Sequence, residues 1–261
     1  MKKTLISICC LIVSTLLVSC VSSAPAKSIN APEDLSGARV GVQIGTTGDI
    51  YVSDLGEDTV VERYNKGAEA VQALKQGKID AVVIDAQPAA VYVSQNADLK
   101  ILDDEFTEEE EYALCVAKDN EQLLNDINAA IAELKADGAL QSILDYYIGS
   151  EEGAAPYQSP EGIKYDGALT MATNAEFPPY EYYEGEEIVG ADVDFARAIC
   201  DKLGKRLIIT DMNFDSVVTA VASGMADFGA AGLTITEERL KNVSFSDSYC
   251  TSLQVIIVKN N

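Results

Sequence analysis

The 261-residue chain contains no histidine and no tryptophan. Without histidine, the usual general base, the Ser–His and Cys–His nucleophile pairs and most transition-metal sites are excluded. Carboxylates, tyrosines and lysines could still do chemistry, but the lack of histidine favours a binding protein over an enzyme. We predict that the protein uses no cofactor and no metal.

Basic residues are scarce as well. The chain has 19 Lys and Arg against 42 Asp and Glu, a formal net charge of −23. Binding to nucleic acid requires clustered positive charge, so a nucleic-acid partner is excluded. Hydrophobic residues make up 48% of the chain, which is enough for a folded core. The length allows one large domain or two small ones.

Long hydrophobic runs are absent apart from one stretch at residues 5–18, which has signal-peptide length and is too short to span a bilayer comfortably. It follows two lysines and ends in the sequence LVSC, which resembles a bacterial lipobox with Cys20 as the lipidated residue. An ordinary signal peptide, cut at another small residue, is the alternative. We assign residues 1–19 to a lipoprotein signal peptide and residues 20–30, rich in Ser, Ala and Pro, to a flexible tether.

No CxxC motif is present among the six cysteines. Three of the six belong to the export segment, which leaves Cys115, Cys200 and Cys250, an odd number at wide spacing. We interpret these three as buried free thiols, and one disulfide with a spare thiol is the alternative.

From residue 38 onward, strand-like and helix-like segments alternate. ARVGVQI (38–44) and AVVID (81–85) are apolar runs of strand length, and KGAEAVQALKQG (66–77) between them has a helical apolar face. A segment rich in Gly, Pro, Ser and Glu at residues 149–165 interrupts the pattern and is typical of a linker. The alternation then resumes and predicts an α/β fold with mostly parallel sheets covered on both faces.

An internal repeat supports two similar lobes. Residues 70–85 align with residues 217–232 at a constant offset, and the alignment pairs Asp80 with Asp227. Each copy contains an apolar-faced helix, a glycine, an aspartate and a buried strand.

Polar residues follow several of the predicted strands, where open α/β sheets bind ligands. Asp85 either caps the next helix or supplies the counter-charge for a ligand ammonium. Arg239 either grips a carboxylate with its planar fork or pairs with a neighbouring acid in solvent. Thr46 or Thr47 could cap a helix and leave N–H groups directed at an anion.

Aromatic residues accompany these polar groups. Phe177 in NAEFPPYEYY, a loop stiffened by two prolines, and Phe214 in NFDSVV could present flat faces to a ligand, or they could belong to the core. The acidic run EFTEEEEY (105–112) is interpreted as a solvated loop.

Six longer motifs occur along the chain: ATNAEFPPYEYY, IVGADVDFARAI, NFDSVV, AAGLTITEERLKNVSFSDSY, VGVQIGTTGDIY and YNKGAEAVQALKQGKIDAVVID. Together they resemble the motifs of the extracellular solute-binding proteins for polar amino acids (family 3) that feed ABC importers. The resemblance covers nearly all of residues 35–261. It implies a two-lobed, periplasmic-binding-protein-like (type II) α/β fold with two hinge strands.

The order of the motifs differs from that family, in which GLTITEER comes before GTTGD. The order here resembles a circular permutation, and a truncated tandem of two binding proteins is the alternative. The permuted order implies the following division: lobe 2 at residues 31–111, a hinge strand at 112–118, lobe 1 at 119–252 including the linker 149–165, and a second hinge strand with the C-terminus at 253–261.

The resemblance also implies a role for each candidate residue. Arg239 would bind the α-carboxylate, helped by the N–H groups of Thr46 and Thr47. The α-ammonium would be bound by Asp85, the Gly232 carbonyl and the Thr234 hydroxyl. The ligand side chain would be met by Phe177, Phe214, Gln43, Asn174 and Glu176.

The implied function is capture of an amino acid and its delivery to an ABC permease. The protein would be a lipid-anchored monomer on the extracytoplasmic face of the cell membrane. Since opposite lobes would bind the two poles of the zwitterion, neither lobe alone satisfies the ligand, and binding would favour closure. The alternatives are an enzyme on the same fold, a prephenate- or arogenate-type dehydratase, and a ligand-sensing module.

Overall fold

The computed structural model describes residues 27–104, 106–149 and 154–260. The predicted signal peptide, Cys20 and the first part of the predicted tether lie outside the described residues. None of the helices in these three ranges combines the length and the apolar character that a bilayer crossing requires. At the end of the predicted tether, Ile29 is buried and the N–H of Lys27 donates to Asp80 at 3.0 Å, so residues 27–30 pack against lobe 2.

Eight α-helices and fifteen strands are defined in the described ranges. The helices are α1 (Thr47–Ser53), α2 (Gly67–Lys75), α3 (Ala86–Ser94), α4 (Glu121–Ala136), α5 (Ala139–Tyr147), α6 (Ala191–Lys202), α7 (Phe214–Ala222) and α8 (Glu237–Leu240). The strands are β1 (Arg39–Gln43), β2 (Val60–Tyr64), β3 (Ala81–Asp85), β4 (Leu99–Ile101), β5 (Glu110–Tyr112), β6 (Cys115–Ala117), β7 (Ala168–Thr173), β8 (Glu176–Phe177), β9 (Glu181–Glu184), β10 (Glu187–Val189), β11 (Arg206–Asp211), β12 (Phe228–Gly229), β13 (Val243–Phe245), β14 (Cys250–Ser252) and β15 (Gln254–Lys259).

Lobe 2 is built on a five-stranded sheet in the order β2–β1–β3–β15–β4. Strand β1 pairs in parallel with β2 and β3, whereas β15 runs antiparallel to β3 and β4. All five residues of β3, the predicted strand AVVID, are buried, as expected for a strand covered on both faces.

Lobe 1 repeats this arrangement in the order β11–β7–β12–β6–β13. Strand β7 is parallel to β11 and β12, and β6 is antiparallel to β12 and β13. The predicted pair of similar α/β lobes is therefore confirmed by the two sheets. A three-stranded antiparallel sheet, β10–β9–β8, also forms where the sequence pattern predicts a loop around NAEFPPYEYY.

The chain crosses between the lobes at β5 and β14. These two strands pair antiparallel, with Glu110 opposite Ser252 and Tyr112 opposite Cys250. After each crossing the chain adds the fourth strand to the sheet that it enters, β6 in lobe 1 and β15 in lobe 2. Because β6 and β15 enter from the other lobe, they run antiparallel to their neighbours, and the sheets are mixed where the sequence predicts mostly parallel ones.

The internal repeat has a structural counterpart in two backbone clamps. The N–H of Asp80 donates to the carbonyl of Arg39 at 2.8 Å, and the N–H of Arg39 donates back to Asp80 Oδ2 at 2.9 Å. In lobe 1, Asp227 and Thr170 make the same two bonds at 2.9 and 2.7 Å. Each aspartate therefore fixes the start of β3 or β12 to the neighbouring strand.

The predicted linker lies along helix α6. Its described residues, 149 and 154–165, contain no helix or strand. The hydroxyls of Tyr157 and Tyr165 both donate to Asp201, at 3.2 and 2.8 Å. These bonds hold the segment against lobe 1.

The three cysteines of the described ranges are free, as predicted. Cys115 and Cys200 are buried, whereas Cys250 is half-buried. Burial raises the pKa of Cys115 and of Cys200 to about 12, which keeps both side chains as neutral thiols at physiological pH.

Candidate functional site

The carboxyl ends of the parallel strands meet between the two lobes. Gln43 is the last residue of β1, and its Nε2 donates to Oδ1 of Asn174, directly after β7, at 2.9 Å. Asp85 ends β3, and Gly232 follows β12. The two lobes thus bring together the edges at which open α/β sheets bind ligands.

A single cavity between the lobes is lined by nine of the eleven predicted ligand-binding residues. Its volume is about 10 Å³, which is about the room that one water molecule needs. The lobes are therefore closed upon one another at this site. The lining residues are Gln43, Thr46, Thr47, Asp85, Phe177, Phe214, Gly232, Thr234 and Arg239.

Arg239 is a buried cation that reaches both lobes. It is 9% exposed, and it donates to the carbonyl of Thr234 at 2.8 Å and to the carbonyl of Gly45 at 3.1 Å. Its guanidinium lies over the ring of Phe214, 5.3 Å from the centroid. Among the described residues no carboxylate forms a salt bridge with Arg239. The alternative of a solvated surface arginine is therefore wrong, and the charge is available to an anion.

Asp85 is a buried carboxylate in the same cavity. It occupies the N-cap position of α3, yet its side chain makes no capping bond and accepts instead from the hydroxyl of Tyr112. The capping interpretation is therefore wrong. Burial raises the pKa of Asp85 to about 6, so the carboxyl is mostly ionised at neutral pH and titrates just below it.

Of the two threonines at the start of α1, only Thr46 caps the helix. Thr46 is the N-cap, and its hydroxyl oxygen accepts from the N–H of Asp49 at 3.2 Å. Thr47 is buried, and its hydroxyl donates to Glu110 Oε2 at 2.8 Å. The N–H of Thr46, one of the two predicted anion donors, donates to the carbonyl of Gln43 at 3.4 Å in the closed arrangement.

Glu110 contradicts the interpretation of the acidic run as a solvated loop. It is 5% exposed, and its Oε2 accepts from Thr47 and, at 2.9 Å, from Thr234 of the other lobe. Its Oε1 has no hydrogen-bond partner among the described groups. The cause is the alternation of β5, which buries Glu110 and Tyr112 and exposes Glu111 between them.

Gly232 allows the backbone to approach Phe177 closely. Its φ is +53°, and a Cβ at this position would lie 2.6 Å from Cε1 of Phe177. Its N–H donates to Asp192 Oδ2 at 2.9 Å, and Asp192 Oδ1 accepts from Tyr249 at 2.6 Å. The buried aspartate therefore fixes the direction of the Gly232 peptide.

Asn174 and Glu176 are the two predicted residues that do not line the cavity. Asn174 is buried and contacts Gln43, as described above, whereas Glu176 lies half-buried at the edge of the cleft. The carboxylate of Glu176 forms an ion pair with Lys66 of lobe 2.

Four residues of the site were missed by sequence reasoning: Glu110, Tyr112, Gln254 and Lys66. Gln254 is fully buried, and its Nε2 donates to Thr47 Oγ1 at 3.1 Å. A glutamine inside the apolar run SLQVIIV is a signal that could have found it. No local signal distinguishes Lys66, because its partner is 110 residues away in the chain.

The comparisons with known proteins match part of the chain. Residues 169–261 match the bacterial extracellular solute-binding proteins, family 3. The arginine-binding extracellular protein ArtP of Bacillus subtilis is 43% identical over 93 residues, 36% of this chain and 36% of the relative. The L-cystine-binding protein TcyJ of Escherichia coli is 31% identical over 124 residues, 48% of this chain and 47% of the relative.

Among solved structures, an ancestral arginine-binding protein bound to arginine is 44% identical. The match covers 31% of this chain and 37% of that protein, with a TM-score of 0.31. The chain spans about a third to a half of the length of the curated relatives that it matches. The family and both relatives are binding proteins, which agrees with the prediction that the chain is not an enzyme.

Proposed function

We propose that the chain, whose residues 169–261 match the bacterial extracellular solute-binding proteins, family 3, captures an amino acid between its two lobes and delivers it to an ABC importer. The named relatives bind arginine and cystine, which supports a ligand with amino-acid α-groups.

The observation that carries this proposal is the charge arrangement of the cavity. Arg239 supplies a buried positive charge with which no described carboxylate forms a salt bridge, and Asp85 supplies a buried negative charge. An amino acid carries the complementary pair, a carboxylate and an ammonium. Burying an unpaired charge is costly, so a ligand that neutralises both poles is favoured over one that neutralises only one of them.

Ligand entry requires the lobes to separate. A cavity of about 10 Å³ cannot contain an amino acid, and the site is closed by bonds from one lobe to the other. These include Gln43 to Asn174 and Arg239 to Gly45. We expect the ligand to replace the Arg239 bond with a bond to its own carboxylate and to hold the lobes together from inside. An affinity near micromolar, about −8 kcal/mol, is the expected order of magnitude.

We also propose that the protein is anchored to the cell membrane by a lipid. A lipid on Cys20 would hold the protein on the extracytoplasmic face of the membrane as a monomer, beside the permease that receives the amino acid. Mass spectrometry of the mature N-terminus tests this part: a diacylglyceryl cysteine at position 20 is expected, and an unmodified residue at another cleavage site would contradict it.

The permuted order of the two halves is likewise a proposal. The family match forms one contiguous block at residues 169–261, whereas the motifs GTTGD and IDAVVID stand before it. In addition, Ile29 and Val258, near the two ends of the described chain, line the same cavity in lobe 2. In a circularly permuted protein, the two chain ends lie where the chain of its relatives is continuous. The closeness of these two residues therefore supports the permuted order.

The test is a thermal-shift screen of the protein against the twenty common amino acids. At least one should raise the melting temperature, because a ligand that binds only the folded state stabilises it. No stabilisation by any of them would contradict the proposal.

A matched pair of arginine variants then tests the site by calorimetry. Arg239→Ala should weaken binding of the identified amino acid about 100-fold or more, the value of a charge-assisted hydrogen bond of about 2.7 kcal/mol. Arg197→Ala removes a partly exposed arginine that pairs with Asp194 at 3.5 Å and should leave the affinity unchanged. Equal affinities for both variants would contradict the role of Arg239.

A further inference from the structure

An ion pair joins the two lobes at the edge of the cleft. Lys66, the residue before helix α2 in lobe 2, contacts Oε1 of Glu176 in lobe 1 through its Nζ. The hydroxyl of Tyr92, also in lobe 2, donates to the backbone carbonyl of Glu176 at 3.2 Å. Glu176 is thus engaged by lobe 2 through both its side chain and its backbone.

On each lobe, this pair is close in sequence to a residue that bonds to Gln43 of the cavity lining. The amide of Gln43, which lines the cavity, donates to the carbonyl of Asn65 at 3.1 Å and to Oδ1 of Asn174 at 2.9 Å. Lys66 follows Asn65 in the chain, and Glu176 stands two residues after Asn174. A ligand side chain that extends past the Gln43 amide towards Asn65 and Asn174 would approach this ion pair.

Lys66 is surrounded by negative charge at this edge. Glu69, Glu176 and Asp211 all act on it, and the bond to Glu176 is the largest of the effects that raise the pKa of Lys66. Asp211 is itself held in place, since it accepts from the N–H of Ala175 at 2.9 Å. Within the described residues, none of these three carboxylates forms a salt bridge with any other cation.

We propose that Lys66 sets the charge preference of the site: as the built-in counter-ion of Glu176, it directs the site towards amino acids with a neutral polar side chain, such as glutamine, and against cationic ones, such as arginine. This inference rests on the proposed function and adds its substrate class. A neutral amide leaves the ion pair intact. A guanidinium or ammonium must either displace Lys66 from Glu176 or lie beside a like charge.

The experiment compares the affinities of L-glutamine and L-arginine by calorimetry in the wild-type protein and in Lys66→Gln. We expect the wild type to bind glutamine more tightly. In Lys66→Gln the arginine-to-glutamine affinity ratio should rise by about two- to fivefold, the range for a partly exposed ion pair. A wild type that binds arginine more tightly than glutamine, or a ratio that is the same in both proteins, would overturn the inference.

Three further variants separate this effect from structural and long-range ones. Lys78→Gln removes an exposed lysine beyond the other end of α2 and should leave the ratio at the wild-type value. Lys66→Arg keeps the charge and should do the same. Lys66→Gln combined with Glu176→Gln removes both charges and should cancel most of the gain in arginine binding. A gain that persists in this double variant would overturn the inference, because it would not depend on Glu176.

The outcomes also separate this inference from the proposed function. If no amino acid binds the wild-type protein, the proposed function fails and the inference fails with it. If amino acids bind with an unchanged charge preference in Lys66→Gln, only the role of Lys66 fails.

Discussion

The guanidinium of Arg239 in lobe 1 donates a hydrogen bond of 3.1 Å to the carbonyl oxygen of Gly45 in lobe 2. Gly45 directly precedes Thr46, the N-cap of α1, so the cation lies next to the positive end of a helix dipole. These two positive elements come from opposite lobes. Under the proposed function, a ligand carboxylate between them would be attracted by both and would therefore stabilise the closed arrangement more than the open one.

The pH dependence of binding should report on Asp85. Burial raises its pKa to about 6, and a ligand ammonium interacts favourably with the ionised form only. Affinity should therefore rise as the pH increases through about 6 and level off above it. Calorimetry between pH 5 and pH 8, over which the α-groups of the ligand keep their charges, measures this profile.

In Asp85→Asn the affinity should be lower than in the wild type at pH 8, and this rise with pH should be absent. Asp103→Asn, a change at an exposed position, should keep the wild-type profile. The stability of the ligand-free protein should depend on pH in the opposite direction to the affinity. Because the folded-state pKa lies above the ordinary value of 3.8, the contribution of Asp85 to stability is lost as the pH rises through about 6. An unchanged affinity profile in Asp85→Asn would contradict the assignment.

Two glycine-to-alanine variants should separate backbone strain from steric contact. Gly224 and Gly232 both have positive φ, +74° and +53°, but a Cβ at Gly224 meets nothing within 4 Å, whereas one at Gly232 lies 2.6 Å from Phe177. Gly224→Ala should lower the free energy of unfolding by about 1 kcal/mol, because alanine is strained at positive φ. Gly232→Ala should cost about 1–3 kcal/mol more and should also weaken ligand binding, because Phe177 lines the cavity. Chemical denaturation measures both costs, and equal costs would contradict the steric argument.

Local sequence patterns predicted the elements of the fold well. The run AVVID coincides with β3, and the repeated helix–Gly–Asp–strand unit appears twice, with Asp80 and Asp227 making the same backbone bonds. The strand and the repeated unit depend on residues close together in the sequence, whereas the bonds of the two aspartates join residues 41 and 57 positions apart. The antiparallel entry of β6 and β15 was not predicted, since it follows from the path of the chain between lobes and leaves no mark in the local periodicity.

The sequence named Arg239, Asp85 and the threonines of α1 as candidates but left an alternative open for each, and the resemblance assigned their roles. All of them line one cavity. Glu110 was not predictable from composition, since it is one of four consecutive glutamates and only the alternation of β5 buries it. The pair of Lys66 and Glu176 is a contact between lobes, and such contacts depend on side-chain positions that no local pattern contains.

The carboxylate of Glu110 should contribute to stability, because it is the shared acceptor of the Thr47 and Thr234 hydroxyls. Glu110→Ala leaves both hydroxyls, and the Nε2 of Gln254 at 3.4 Å, without this buried carboxylate. Unsatisfied buried donors destabilise a protein, so we expect a loss of about 2 kcal/mol in the free energy of unfolding. Glu109→Ala, at the exposed neighbouring position, should change it by less than about 0.5 kcal/mol. Urea denaturation of both variants makes the comparison. Equal midpoints would show that the carboxylate adds no net stability, because the cost of burying its charge, with Oε1 unpartnered, then cancels the three bonds to Oε2.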